Sequence, residues 1–376
     1  MFQHQNLISI LILFGAILLR GALLEYTDLI DPTEARYASV AQEMVLLGDW
    51  LTPRLPMPEG VVPYMGKPPL HFWLTASAYS IFGIDEWTAR LPSWLSAIAL
   101  LLVIVSFGRR FFGERVGLSA ALIAFSSVIL FFLSGASVTD VTLAALVTGS
   151  TYFLYLLAIS DGLTRKYALI SSACMALAFL TKGPIAVILV WLPLLLWSAV
   201  QKNFRWLKSV PWLTSGLLFF AITSPWFVAN EINNPGSFRY FFWNENIARY
   251  LFKDYGDKYG TGHVHPYGTS WFMLFANFMP WSLIIIWKSF RRGWRQIWER
   301  LKSDQNLLFA LTWGVSAALF FTFVRQLHGM YVLPCIPGMA LFSAVLLEEK
   351  EGKHSLRTFE FLSDRRFAPV LSLILI

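Results

Sequence analysis

Long apolar runs separated by polar stretches recur from one end of this 376-residue chain to the other. They predict membrane-crossing helices at residues 7–24, 92–107, 117–133, 140–159, 167–181, 184–200, 211–229, 270–287, 306–324 and 329–347, with another beginning near Phe367. A hydrocarbon core of about 30 Å takes roughly 20 helical residues to cross, which the runs approach. They lack the period-two alternation of barrel strands, and a backbone in lipid must satisfy its own donors and acceptors, so helices are the reading. The expectation is an all-α polytopic membrane protein, a single domain over residues 1–376 with about 11 transmembrane helices, the last incomplete.

Two polar stretches are long, 25–91 and 231–269. In the first, Tyr37, Val40, Ala41, Met44 and Leu47 recur at helical spacing while Glu34, Ser39, Gln42 and Glu43 take other faces, which predicts an amphipathic helix lying in the membrane interface. Pro68, Pro69 and the aromatic stretch through Phe72 and Trp73 predict a second helix returning toward the bilayer. Together the two helices would roof a cavity between the spans.

Charge sets the orientation. With the N-terminus cytoplasmic, alternation puts 19 of the 30 basic residues in inner loops and ten in the longer outer ones, leaving Arg20 within the first span. The positive-inside rule selects that arrangement, and both long stretches then face outward. The first span crosses without a small-residue cleavage site after it and reads as a retained signal anchor. The basic amphipathic segment from Lys288 to Lys302 reads as an inner-surface helix against anionic headgroups.

Composition agrees: 56% hydrophobic and 14% charged, with mean hydropathy +0.56, where soluble domains carry about 25% charged residues. The net charge of +7 is distributed by topology and not gathered on one domain, which argues against a nucleic-acid partner. Cys174 and Cys335 lie inside apolar runs and read as free thiols. Trp243, Trp271 and Trp281 read as interface anchors.

Candidate chemistry gathers on the outer side. In the stretch from Asp31 to Tyr37, Asp31, Pro32 and Glu34 have the order of a capping box. That capping leaves unexplained Arg36 beside a carboxylate pair, in a loop that also supplies Lys67. Asp140, with Thr139 before it, opens a span; it serves as a helix-start carboxylate or, being an acid at a membrane entrance, as a functional group. Lys182 closes a span before Gly183 and Pro184; it is either a dipole-complementing helix stop or a cation for an anionic group. His263 and His265 stand two apart with no third ligand nearby in sequence; loop structure or an acceptor contact by His265 is the reading. Arg325, His328 and Tyr331 occupy an outer turn.

The stretches TEARYASVAQEMVLLGDWLTPRL, GKPPLHFWLTASAYSIFG and ARLPSWLSA, then TKGP at 181–184, HPYGTSWFMLFANFMPWS at 265–282 and YVLPCIPG at 331–338, resemble the bacterial membrane glycosyltransferases related to lipid A aminoarabinose transferase and protein O-mannosyltransferase. The resemblance covers nearly the whole chain and implies a glycosyltransferase C-type fold in the inner membrane of a bacterium, with its active site on the periplasmic side. Such enzymes pass a sugar from a polyprenyl phosphate to a lipid, glycan or protein acceptor, 4-amino-4-deoxy-L-arabinose onto lipid A being one outcome, and no cofactor or metal is required in general. Relatives continue through further helices and often an outer soluble domain, so the resemblance implies that the C-terminal part of the family architecture is missing from this chain, which stops at Ile376.

Carried over by position, Thr33 stands where relatives have an Asp and Glu34 keeps the following Glu, so the acidic role falls to Glu34 with Asp31 as the alternative or helper, alongside Asp140. Arg36 and Lys67 match the pair that holds the lipid phosphate, with Arg325 and Tyr331 approaching it, and Lys182 and His265 would contact substrate. Gly66 replaces a Glu that in some relatives contributes to a bound metal. Membrane lipids are the surrounding partners. A transporter or lipid flippase would instead show internal repeats with helices broken at the midplane, and no repeat is visible. A third reading is an inactive or partial relative that serves as a binding or assembly subunit.

Overall fold

The structure, a computed structural model, describes residues 2–29, 32–160, 165–249, 252, 259 and 263–348. The span expected near Phe367 and the candidate Asp31 lie outside the described residues. The architecture is all-α apart from one small hairpin: α1 (Phe2–Ala22), α2 (Pro32–Leu47), β1 (Arg54–Met57), β2 (Gly60–Pro63), α3 (Leu70–Phe82), α4 (Glu86–Phe111), α5 (Glu114–Phe125), α6 (Val128–Leu133), α7 (Thr139–Ile159), α8 (Arg165–Lys182), α9 (Ile185–Gln201) and α10 (Trp212–Asn233). Helices Thr269–Asn277, Trp281–Arg292, Trp294–Ser303, Gln305–Phe320 and Ile336–Glu348 follow.

By length and composition, five helices among the described residues suffice to cross a membrane, and a sixth does so if a bent pair counts as one span. Two expected spans are broken. That over 117–133 divides into α5 and α6 at Ser126 and Ser127, whose hydroxyls donate back to the Leu122 and Ala124 carbonyls and so compete with the helical ladder. That over 270–287 turns by 98° between Asn277 and Trp281, where Pro280 has no N–H to give.

The first long outer stretch holds both expected helices. α2 opens on Pro32, where the fixed φ suits a first turn, and ends before Gly48, whose φ of +67° is left-handed. Its buried face is Glu34, Tyr37, Ala38, Val40, Ala41 and Met44. Glu34 therefore corrects the sequence reading: it belongs to the buried face, one turn before Tyr37. Tyr37 meets Phe72 of α3 edge to face, with ring centroids 5.6 Å apart. The hairpin between the helices is a feature that the sequence reading lacks. It pairs Arg54 with Pro63 and Met57 with Gly60 over strands of four residues, too short for an alternation to stand out.

Glu34 is tolerated there because Arg90 of α4 reaches it. Arg90 Nε donates to Glu34 Oε1 at 2.9 Å and Nη2 to Oε2 at 3.3 Å, while Nη1 donates to the Leu24 and Thr27 carbonyls at 2.6 Å each and Nη2 to Asp28 O at 3.1 Å. Glu34 Oε1 also accepts from the Ser137 N–H at 2.8 Å. One guanidinium thus ties the exit of α1, the start of α2 and, through Glu34, the segment before α7 to the body of α4.

The main core lies between α4, α5, α7, α9 and the two last described helices, around Phe107, Tyr155, Phe309 and Trp313. The Tyr155 and Phe309 rings stack at 3.8 Å. Gly314 and Gly338 let two of these helices touch backbone to backbone, since a Cβ on Gly314 would come 2.8 Å from the Met339 nitrogen. Small residues at such crossings are how helices pack in lipid. By contrast α1 and α10 turn large apolar side chains outward, among them Leu11, Phe14, Leu213 and Phe220.

Arg90→Ala takes from the buried Glu34 charge its cationic partner and from three carbonyls their guanidinium donor, a class of change worth about 3–5 kcal/mol. Its thermal unfolding in detergent is expected well below that of the wild type, with no rescue by Arg90→Lys because one ammonium cannot supply the five-donor fork.

Candidate active site

Three segments that end beside one another make the site. The Val138 backbone is extended and α7 starts at Thr139, which puts Asp140 in the first turn. Lys182 is the last residue of α8, and Gly183, with φ of +81°, stops the helix against the Phe241 ring, which a Cβ would meet at 2.5 Å. Lys67 precedes α3 in a loop held by Tyr259, whose hydroxyl accepts from Met65 N–H at 3.0 Å and donates to Pro63 O at 3.2 Å.

These segments open onto a cavity of about 290 Å³. Leu143 of α7, Ile185, Ile188 and Leu189 of α9, and Phe321 and Val324 line its apolar part. The charged lining is Lys67, Asp140, Lys182, Glu245 and Arg249, three cations and two carboxylates, with Tyr331 among its neighbours. Lys182 Nζ donates to Asp140 Oδ1 at 2.6 Å and lies 4.5 Å from the Tyr331 ring centroid. Lys67 Nζ donates to Gly66 O at 2.7 Å and to Glu245 Oε2 at 3.5 Å. Arg249 Nη1 reaches the same Oε2 at 3.3 Å, and the Tyr240 hydroxyl donates to Oε1 at 3.2 Å. Burial pulls the Lys67 ammonium below the ordinary lysine range, with the Glu245 carboxylate acting in the opposite direction.

Of the residues singled out from the sequence, the cavity brings together Lys67, Asp140, Lys182 and Tyr331. Glu34 turns its carboxylate to Arg90 and Ser137 and is not among the lining residues. Ser137 lies three residues before Asp140, so Glu34 acts on the cavity wall through the chain. Arg36 is half-buried and also outside the lining. Its charge acts on the Tyr37 and Tyr64 phenols, which burial pushes up. Arg325 is exposed, its guanidinium 5.8 Å from the Tyr267 ring centroid. His265 is half-buried and outside the lining, its backbone N–H donating to Arg325 O at 2.8 Å. The space that a side chain at position 66 would fill belongs to the Tyr64 phenol, 2.8 Å from where a Cβ would stand.

Sequence reasoning missed Glu245 and Arg249. Both come from the second long outer stretch, where Tyr240–Ala248 forms a π-helix, a rare conformation that concentrates at functional sites. The available signal was the i, i+4 acid and base in ENIAR, which also describes an ordinary solvated helix face. This wall is tied to the last helices by a short antiparallel strap: Val264 bridges Gln326, Leu327 N–H donates to His263 O at 3.1 Å, and Arg249 Nε donates to Gln326 Oε1 at 3.2 Å.

A largely helical membrane bundle with a charged cavity beside a helical loop is the arrangement of the glycosyltransferase C fold, and this chain is a multi-pass membrane protein of that fold. Residues 66–228 match the family described as dolichyl-phosphate-mannose-protein mannosyltransferase. The chain is 27% identical over 327 residues to the undecaprenyl phosphate-alpha-4-amino-4-deoxy-L-arabinose arabinosyl transferase of Photorhabdus laumondii, covering 84% of this chain and 54% of that one. It is 29% identical over 349 residues to the transferase of the same name from Pseudomonas savastanoi, covering 89% and 61%. The crystal structure of ArnT from Cupriavidus metallidurans bound to undecaprenyl phosphate superposes with a TM-score of 0.79 at 24% identity, over 91% of this chain and 60% of that one. The archaeal oligosaccharyltransferase AglB from Archaeoglobus fulgidus superposes with a TM-score of 0.59 at 14% identity, over 100% and 55%. The chain is thus similar, by the family match over residues 66–228 and by 26–29% identity to relatives, to membrane glycosyltransferases that include the aminoarabinose transferases, and it spans little more than half the length of the curated relatives it matches.

Lys182→Met strands a buried Asp140, and a broken buried pair of this kind is worth about 3–5 kcal/mol. The double variant Asp140→Asn, Lys182→Met is expected to regain much of the lost thermal stability, so a double-mutant cycle read by unfolding in detergent returns a large coupling energy.

Proposed function

We propose that this chain catalyses transfer of a sugar from a polyprenyl phosphate to a lipid acceptor at the periplasmic face of a bacterial inner membrane, with undecaprenyl-phosphate-linked 4-amino-4-deoxy-L-arabinose as donor and lipid A as acceptor. The single observation that carries the reading is the convergence of Asp140 with Lys67, Lys182 and Arg249 on one cavity beside apolar helix faces. A lipid-phosphate leaving group needs fixed positive charge where its own charge accumulates, and an acceptor hydroxyl needs a base.

In this reading Asp140 takes the acceptor proton, and Lys182 fixes the carboxylate while the acceptor binds. Lys67 and Arg249 hold the departing phosphate, with Tyr331 shaping the wall. Arg36 and Arg325 as contacts of the donor phosphate, and His265 as a substrate contact, rest on the family resemblance, since none of the three is among the cavity lining. Glu34 is proposed as the residue that positions the Asp140 segment through Ser137, and Asp31 keeps the role of its helper that the resemblance gives it. One displacement at the anomeric carbon inverts its configuration.

Asp140→Asn is expected to lower kcat at least about 10²-fold, the scale of a lost general base, measured below the lowered unfolding temperature that loss of the Lys182 partner brings. The assay is transfer from the undecaprenyl-phosphate donor to lipid A in proteoliposomes, and near-normal turnover would remove Asp140 from the chemistry. Mass spectrometry of envelope lipids from a deletion strain is expected to show loss of the aminoarabinose adduct; a different missing sugar would change the donor and keep the reaction class.

A further inference from the structure

The lining of the cavity holds a carboxylate that the transfer chemistry does not use. Glu245 Oε2 lies between Lys67 Nζ at 3.5 Å and Arg249 Nη1 at 3.3 Å, bridging the two cations assigned above to the leaving phosphate. The residue is buried, and a carboxylate on those two donors stands where a phosphate oxygen would be expected to stand. Both contacts are longer than the about 2.7–2.9 Å of a tight charge-assisted bond, whereas the Lys182 bond to Asp140 is 2.6 Å. Lys67 gives its own short bond, 2.7 Å, to Gly66 O. Oε1 has a separate host in the Tyr240 hydroxyl at 3.2 Å, which keeps the carboxylate anchored when Oε2 lets go. Glu245 and Tyr240 are both carried on the π-helical stretch Tyr240–Ala248.

We propose that Glu245 is a built-in competitor for the phosphate subsite: it yields Lys67 and Arg249 to the phosphate of the donor and reclaims them to release the polyprenyl phosphate product. The inference rests on the reading of this cavity as the phosphate site. Its logic follows from the charge balance of the reaction. The acceptor oxygen forms a bond to the anomeric carbon, and the bond from that carbon to the phosphate oxygen breaks with its electron pair staying on the phosphate. The acceptor proton passes to Asp140 and on to water. A phosphodiester with one negative charge becomes a phosphate monoester of about −1.5 to −2. The same cations therefore grip the product harder than the donor, and a transferase without a counter-charge would be held by its own product. A resident carboxylate lowers the affinity for both, and the product, with the larger charge, loses more.

The test titrates undecaprenyl phosphate against the full chain in neutral phosphatidylcholine nanodiscs. Glu245→Gln is expected to bind it about tenfold more tightly than wild type, a modest part of what one unit charge at this range exerts. In turnover the same variant should show lower KM and lower kcat together, with stronger inhibition by added undecaprenyl phosphate. Tyr240→Phe, which removes the second host and leaves Glu245 to the cations, is expected to bind the lipid more weakly than wild type. A merely structural Glu245 would move both variants in one direction, toward weaker binding. Should Glu245→Gln fail to fold, Tyr240→Phe carries the test alone, and unchanged or tighter binding by it overturns the proposal. Lys67→Met and Arg249→Met control the underlying reading: each should weaken binding at least about tenfold, as loss of one partner of a phosphate contact does. If neither weakens binding, the phosphate-site reading fails. If they do while Glu245→Gln binds no more tightly than wild type, the competitor fails and the site stands.

Discussion

Burying charge is the constraint around which this molecule is arranged. A charge withdrawn from water in a helical bundle is retained only with a partner in place, and Arg90 has five acceptors within reach: both oxygens of Glu34 and the carbonyls of Leu24, Thr27 and Asp28. Those carbonyls belong to the turn after α1, where no helix ladder serves them. The guanidinium is thus both an ion-pair partner and a cap for irregular backbone. Asp140 and Lys182 repeat the solution between α7 and α8, with the difference that their pair opens onto a cavity.

Much of this was legible in the sequence. Apolar length locates five of the expected crossing helices among the described residues, because hydrocarbon thickness leaves little freedom, and Tyr37, Val40, Ala41 and Met44 mark the buried side of α2. Lys67, Asp140 and Lys182 stood out as charges at the margins of apolar runs, and they meet in one cavity. What stayed hidden has physical reasons. Glu34 looked like a residue of the polar side because its partner lies 56 positions away on another helix, and a long-range pair leaves no local pattern. The breaks at Ser126 and near Pro280 sit inside runs whose mean hydropathy is high throughout. Glu245 and Arg249 resemble a solvated helical pair until the fold brings Lys67 beside them.

The relatives sharpen one point about the site. The Gly66 position, where the family resemblance leads one to expect an acid beside the lysine, is filled in space by the Tyr64 phenol, itself packed against Phe72 and Tyr259. The neighbouring negative charge of this chain comes instead from Glu245, on a different segment. The lysine keeps an acidic neighbour by a different route, through tertiary structure in place of the adjacent residue.

The strap between Val264 and Gln326 joins two stretches of chain that would otherwise answer independently to whatever enters the cavity. Arg249 holds Gln326, and Gln326 lies five residues before Tyr331, whose ring lies over Lys182. Two walls of the chamber that lie far apart along the chain are thereby sewn together by one short set of hydrogen bonds.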